Sequence, residues 1–208
     1  MGYRGLGYAS PVNTQNIVMN KLYTQDERFE SVDFSQKELP KGEYENCRFT
    51  NCRFEKCDLS NIIFLECEFI DCDLSLATLG HTSFRDVKFK NCKQLGLRFD
   101  TCHTLLLSFS FEGCVLNFSS FYKLKLKNTI FKNCQLHQVE FVEADLSNAN
   151  FANSDLHNAT FENTILEGAD FRTANNFSID PELNRIKKAK FSAAGISGLL
   201  TRYNIVIE

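Results

Sequence analysis

The sequence predicts an all-β chain that winds into a coil and turns a corner every five residues. Two observations carry this. The first is a five-residue period of large apolar side chains. From Phe29 to Phe109 there are 17 positions at this spacing; 15 are Leu or aromatic, and Gln94 and Thr104 interrupt. The frame then slips by two residues, and from Phe111 to Phe171 all 13 positions alternate strictly between Phe and Leu. The second observation is a small or apolar residue two places before most centres, as at Cys47, Cys52, Ala144, Ser154 and Ala169. A step of five advances ~140° on a helix and smears the apolar residues around it. On a flat strand it alternates faces. It fits a chain with one large and one small side chain pointing inward on each side.

The three remaining positions of each unit face outward and hold most of the charge and much of the Asn, including Asn46, Asn51, Asn61, Asn148, Asn153, Asn158 and Asn163. Asn suits tight corners because it tolerates unusual backbone angles and bonds locally. The 208 residues suffice for a continuous core. With 26 acidic and 23 basic side chains the formal net charge is −3, which argues against a protein that grips phosphates along its length. No apolar run reaches the ~18 residues of a membrane span, and no stretch has a signal-peptide core. Nine cysteines, an odd number, without an export signal read as reduced thiols and a cytoplasmic location.

Runs such as Ala144-Asp145-Leu146-Ser147-Asn148, Ala149-Asn150-Phe151-Ala152-Asn153 and Ser154-Asp155-Leu156-His157-Asn158 resemble the A(D/N)LXX unit of pentapeptide-repeat proteins. The resemblance covers roughly residues 29 to 191. It implies a right-handed quadrilateral β-helix with four pentapeptides per coil. About eight coils at a strand spacing of ~4.8 Å give a rod of about 38 Å. Residues 20 apart then stack, and the Phe/Leu alternation puts Phe ladders on two opposite faces.

The chain divides into three segments. Residues 1–25 lack the repeat, carry Gly2, Gly5, Gly7 and Pro11, and read as a flexible arm, with Met19 a candidate natural start. Residues 26–191 form the repeat, with the slip near 105–111 read as a bulge or small surface loop. Residues 192–208 read as a cap: Ser192 as N-cap, a helix through Ile196, Leu199, Leu200 and Tyr203, then a short strand over 204–208. The cap buries too little by itself, so a second copy is its expected cover, through Ile196, Leu199, Leu200, Tyr203, Ile205 and Ile207. The stretch from Lys190 to Ile207 is also similar to the tail of the Qnr-type quinolone-resistance branch, and that resemblance implies a tail-to-tail homodimer.

Cys47 and Cys52 have the C-x₄-C spacing of one iron–sulfur pattern. However, all nine cysteines fall at the small inward position, where buried Cys acts as a small hydrophobe. His137 and His157, 20 apart, should be neighbours, but no third ligand accompanies them. Gly195-Ile196-Ser197-Gly198 lacks the spacing of a nucleophile elbow, and no phosphate loop or dinucleotide fingerprint is present. The sequence therefore predicts no enzyme, cofactor or metal, and a protein rather than nucleic acid or membrane as partner.

Charge gives the remaining signal. Residues 26–73 carry a net −7, residues 85–132 a net +6, and residues 140–170 a net −7 with no Lys or Arg. The last block, Glu140, Glu143, Asp145, Asp155, Glu162, Glu167 and Asp170, is the candidate partner-binding surface. The Qnr resemblance implies a DNA mimic that engages a type II topoisomerase, gyrase or topoisomerase IV, and protects it from quinolones. The repeat, however, contains no insertion long enough for the projecting loops of many such proteins. The alternative is a general interaction scaffold with another cytoplasmic partner, for which the basic belt with Lys123, Lys125 and Lys127 is a natural patch. One continuous acidic stripe favours the mimic, and broken acidic and basic zones favour the scaffold.

Overall fold

A computed structural model describes residues 22–206, in which the chain closes a four-sided coil every 20 residues. Strands β1 (Leu22–Gln25) and β2 (Arg28–Glu30) open the first coil, and β3 (Gly42–Glu45) and β4 (Arg48–Thr50) the second. β5 (Ile63–Leu65) and β6 (Glu68–Ile70) lie in the third, β7 (Ser83–Arg85) and β8 (Val87–Lys90) in the fourth. β9 (Phe109–Glu112) and β10 (Phe131–Lys132) continue one side only. Pairing is parallel throughout the described residues. The first face is the sheet β1-β3-β5-β7 and the second the sheet β2-β4-β6-β8-β9-β10. Single bridges such as Asp73↔Lys93 on the third face and Ser120↔Glu140 on the fourth hold the other sides. The longest sheet thus has six rungs where the repeat predicts about eight coils, and bridges carry its face on through Asn150↔Asp170 and Asp170↔Lys190.

The five-residue rule produces this shape because most corners take a left-handed residue. Asn46, Asn51, Asn61, Asn148, Asn153, Asn158 and Asn163 all sit at φ between 49° and 61°, a conformation Asn adopts at low cost. Gly168 takes such a corner at φ 70°, where a Cβ would lie 2.4 Å from Asn148 Oδ1.

Inside, Phe29, Phe49, Phe69, Phe89, Phe111, Phe131, Phe151, Phe171 and Phe191 form one ladder on the second face. Successive ring centroids lie 4.7–5.4 Å apart and interplanar angles are 4–21°. After Phe111 the second Phe column, Phe121, Phe141 and Phe161, lies on the opposite face, as the alternation predicts. The small inward position closes backbone carbonyls one coil back. Cys67 Sγ donates to Tyr44 O at 3.2 Å and Cys72 Sγ to Phe49 O at 3.3 Å, as Thr164 Oγ1 does to Phe141 O at 2.9 Å. Eight cysteines are buried and Cys57 is half-buried; burial pushes the Cys67 thiol up to about 12.

The register slip is real and local. Phe69 pairs with Phe89, Phe89 with Phe111, and Phe111 with Phe131, so two extra residues enter one coil. They leave as a surface loop over residues 104–107. Its feet are bonded to the coil before: His103 N donates to Thr82 O at 2.9 Å and Ser108 N to Phe84 O at 3.0 Å. Thr104 is therefore exposed, whereas Gln94 still points inward, fully buried, with neither amide atom paired.

The cap differs from the expected helix and strand. Ser192 Oγ does accept from Gly195 N at 3.1 Å. Beyond it the chain forms two short 3₁₀ helices, Ile196–Leu199 and Thr201–Tyr203. Gly198 lies so close to Phe177 that a Cβ would meet its carbonyl oxygen at 2.5 Å, and Gly198 O accepts from Ile179 N at 2.9 Å, which takes it from the bond an α-helix would make to Arg202. Asn204 at φ 47° then ends the helical path, and residues 204–206 form no strand. Ile207, residues 1–21 and with them most of the expected arm and Met19 lie outside the described residues.

Candidate protein-binding surface

The seven acids of residues 140–170 do not share a face. Glu140, Glu143 and Glu162 lie on the fourth face or its corner; Asp145 and Glu167 on the first; Asp155 on the third; Asp170 on the second. A 20-residue coil visits every side, so a run in sequence becomes a ring in space. Most are also neutralised. Glu143 pairs with Lys123 at 3.4 Å, Asp145 with Lys127 at 3.3 Å, Glu167 with Arg185 at 2.7 Å and Asp170 with Arg172 at 2.7 Å. Asp155 Oδ2 lies 2.9 Å from His137 Nε2. Glu140 accepts from Ser120 Oγ at 2.6 Å, and Glu162 has no ion pair among the described residues. The Arg172 guanidinium holds Asp170 below its ordinary value. For Asp145, partial burial works against the charge but is outweighed by bonds from Ser147 and Lys127.

Along the rod, several ion pairs follow a rule that the charge blocks concealed. Lys123 and Glu143, Arg48 and Glu68, Lys93 and Asp73, and Lys132 and Glu112 are each 20 apart and joined across one coil step. Reading the sequence in columns of 20 would have found them. The basic belt is divided the same way. Lys88, Lys93, Arg98, Lys123, Lys127 and Lys132 have carboxylate partners, whereas Arg85, Lys90 and Lys125 have none among the described residues.

The candidate dimer residues gather at the C-terminal end. Ile196, Tyr203 and Ile205 are exposed, while Leu199 packs against the core and Leu200 is half-buried. Arg202 ties this cap to the last coil through Asp180 and Glu182, both at 2.8 Å. The His137 and His157 rings are 5.8 Å apart, and no group of three or more potential metal ligands assembles among the described residues. No helix there is long and apolar enough to cross a membrane.

Large apolar residues also stand at three left-handed corners of the middle coils: Leu76, Leu106 and Phe118, at φ 59°, 59° and 64°. All three are exposed, so each combines backbone strain with exposed apolar surface. The periodic reading missed them because it scored only inward positions.

Comparison with known proteins agrees with this architecture. No curated protein matches the sequence. The chain is similar in structure to a trypsin-treated form of QnrB1, described as a plasmid-mediated fluoroquinolone resistance protein. That likeness has a TM-score of 0.58 at 17% identity, covering 89% of this chain and 100% of that one. A second trypsin-treated QnrB1 gives 0.52 at 20% identity, over 90% of this chain and 92% of that one. These likenesses concern the fold. A family model described as a pentapeptide repeat region matches residues 42–110 and 105–176. Together with the 20-residue coil, this shows that the chain belongs to the pentapeptide-repeat family.

Proposed function

We propose that this protein is a non-catalytic, cytoplasmic rod that acts by presenting its outer faces to another protein. The observation that carries the reading is the filled interior: the Phe ladder and its Leu and Phe neighbours occupy the inward centres, leaving the outer faces for recognition. The acids of residues 140–170 are dispersed over four faces and most are paired with cations, which favours a scaffold over a continuous mimic of DNA.

The fold likeness to QnrB1 supports a second, narrower reading, with a type II topoisomerase as the partner. Duplex DNA carries a charge every ~1.7 Å, or about three per ~4.8 Å coil step. The fourth face offers Glu140, Glu143 and Glu162 over two coils, so any mimicry is local. Homodimerisation through Ile196, Leu199, Leu200, Tyr203 and Ile205 belongs to the same proposal, and the exposure of Ile196, Tyr203 and Ile205 supports it.

Gyrase supercoiling with added protein, with and without a fluoroquinolone and across a salt series, separates the readings. Salt-sensitive inhibition or rescue from the drug, lost in Glu140→Lys/Glu143→Lys/Glu162→Lys, supports the topoisomerase. No effect at concentrations well above the enzyme's removes it and leaves the scaffold, whose partner a pull-down must identify.

A further inference from the structure

The middle of the rod carries a surface that neither the acidic block nor the cap explains. The 104–107 loop presents Leu105 and Leu106, 62% and 68% exposed, on the first face. Leu106 holds φ 59°, where most other corners carry a polar or charged residue. Strand pairing on this face stops at β7 and resumes at Lys125↔Asp145, so the loop interrupts the sheet where its feet stand. Two of the belt's three unpaired cations flank it there. Arg85 lies in β7, just past the loop's bond to Phe84, with its Nε buried and unpartnered; Lys125 lies on the same face one coil later. The opposite case is Phe118, whose neighbouring cations Lys93, Arg98 and Lys123 are each bound to a carboxylate.

We propose that Leu105, Leu106, Arg85 and Lys125 form a docking site for an acidic segment of a partner protein that carries at least one large apolar side chain. Charge complementarity selects the occupant. The apolar loop takes the anchor, and two free cations on either side take carboxylates. Two cations are too few for strong nucleic-acid binding, which needs several phosphate contacts. The site rests on the reading of the protein as a binding rod, but it lies on a different set of residues from the acids proposed for topoisomerase.

The test is selection of a phage-displayed random 12-residue library on the full chain, followed by anisotropy with the best synthetic peptide. Selected peptides should be net acidic with a Leu, Ile, Phe or Trp. Affinity should fall at least tenfold in Arg85→Glu/Lys125→Glu and in Leu105→Ser/Leu106→Ser, and fall with salt from 50 to 300 mM. Phe118→Asn should leave it unchanged. Far-UV circular dichroism establishes that each variant is folded. No enrichment, enrichment without acidic bias, or affinity that survives both double variants would overturn the proposal. So would tighter binding of a 20-base-pair duplex or of phosphatidylserine vesicles through the same cations. Loss of this site would leave the supercoiling result untouched, so the two readings fail separately.

Discussion

In the coils before residues 104–107 the aromatic centres sit on adjacent faces, whereas after them they sit on opposite faces. Phe64 and Phe69 meet at 5.2 Å and 75°, neighbours around a corner; Phe121 and Phe131 meet at 5.7 Å and 82° from opposite sides of the coil. The first region holds three rings in the coil of Tyr44, Phe49, Phe54 and Leu59 and two in that of Phe64, Phe69, Leu74 and Leu79, whereas after the loop each coil holds two, as in Leu126, Phe131, Leu136 and Phe141. The exchange happens in the coil of Phe84, Phe89, Gln94 and Phe99, which holds three rings and an amide. Phe109 then packs against Phe84, Phe99 and Phe111 at 5.1–6.3 Å and fills the interior where Thr104 has left it. The lesson is that one column, the second-face Phe ladder, passes through unchanged while its neighbours are redistributed around it.

The largest way to break this comparison is to remove a rung of the shared ladder. Phe111→Ala at the junction and Phe49→Ala in the first region should each cost about 3–5 kcal/mol in equilibrium unfolding. A much smaller cost at Phe111 would mean that the ladder is not continuous there. Gln94→Leu works in the other direction. Replacing an unpaired buried amide with the leucine that fills the same column at Leu74 and Leu116 should stabilise the chain by about 1–3 kcal/mol, and a loss of stability would show that the amide has a partner. Phe118→Asn, which puts a tolerant residue on a left-handed corner, should add about 1 kcal/mol.

Alkaline titration sharpens the comparison through Tyr44, an aromatic centre confined to the first region. Its Oη donates to Pro40 O at 2.8 Å, and burial pushes the phenol up to about 12. A raised folded value favours the neutral phenol. Its contribution is whole below pH 10 and is lost as pH rises from 10 through about 12. Tyr44→Phe should flatten that decline, measured by denaturant midpoints at stepwise pH; an unchanged decline would place its origin elsewhere.

Much of this architecture was legible because one inward residue in five leaves a period that no other element imitates, and because Asn marks the corners. The surface was not legible in the same way. Lys123 and Glu143 are 20 residues apart in sequence but paired at 3.4 Å in space, so counting charge along the chain created an acidic block that the coil disperses. The cap misled because the apolar spacing of Ile196, Leu199 and Leu200 is compatible with both α and 3₁₀ turns, and the bond from Ile179 N to Gly198 O favours the tighter one. The buried state of Gln94 could not be read either, since an interruption of the period looks the same whether the residue turns in, as Gln94 does, or out, as Thr104 does.

Hydrogen exchange under native conditions tests the central claim, that the slip is absorbed at the surface and leaves one continuous core. The amides of Phe54 and Leu74 before the loop, and of Leu136 and Phe151 after it, should share one opening free energy, with fast exchange confined to residues 104–107 and the chain ends. Two protection classes dividing at the loop would contradict the account and make the rod two stacked domains.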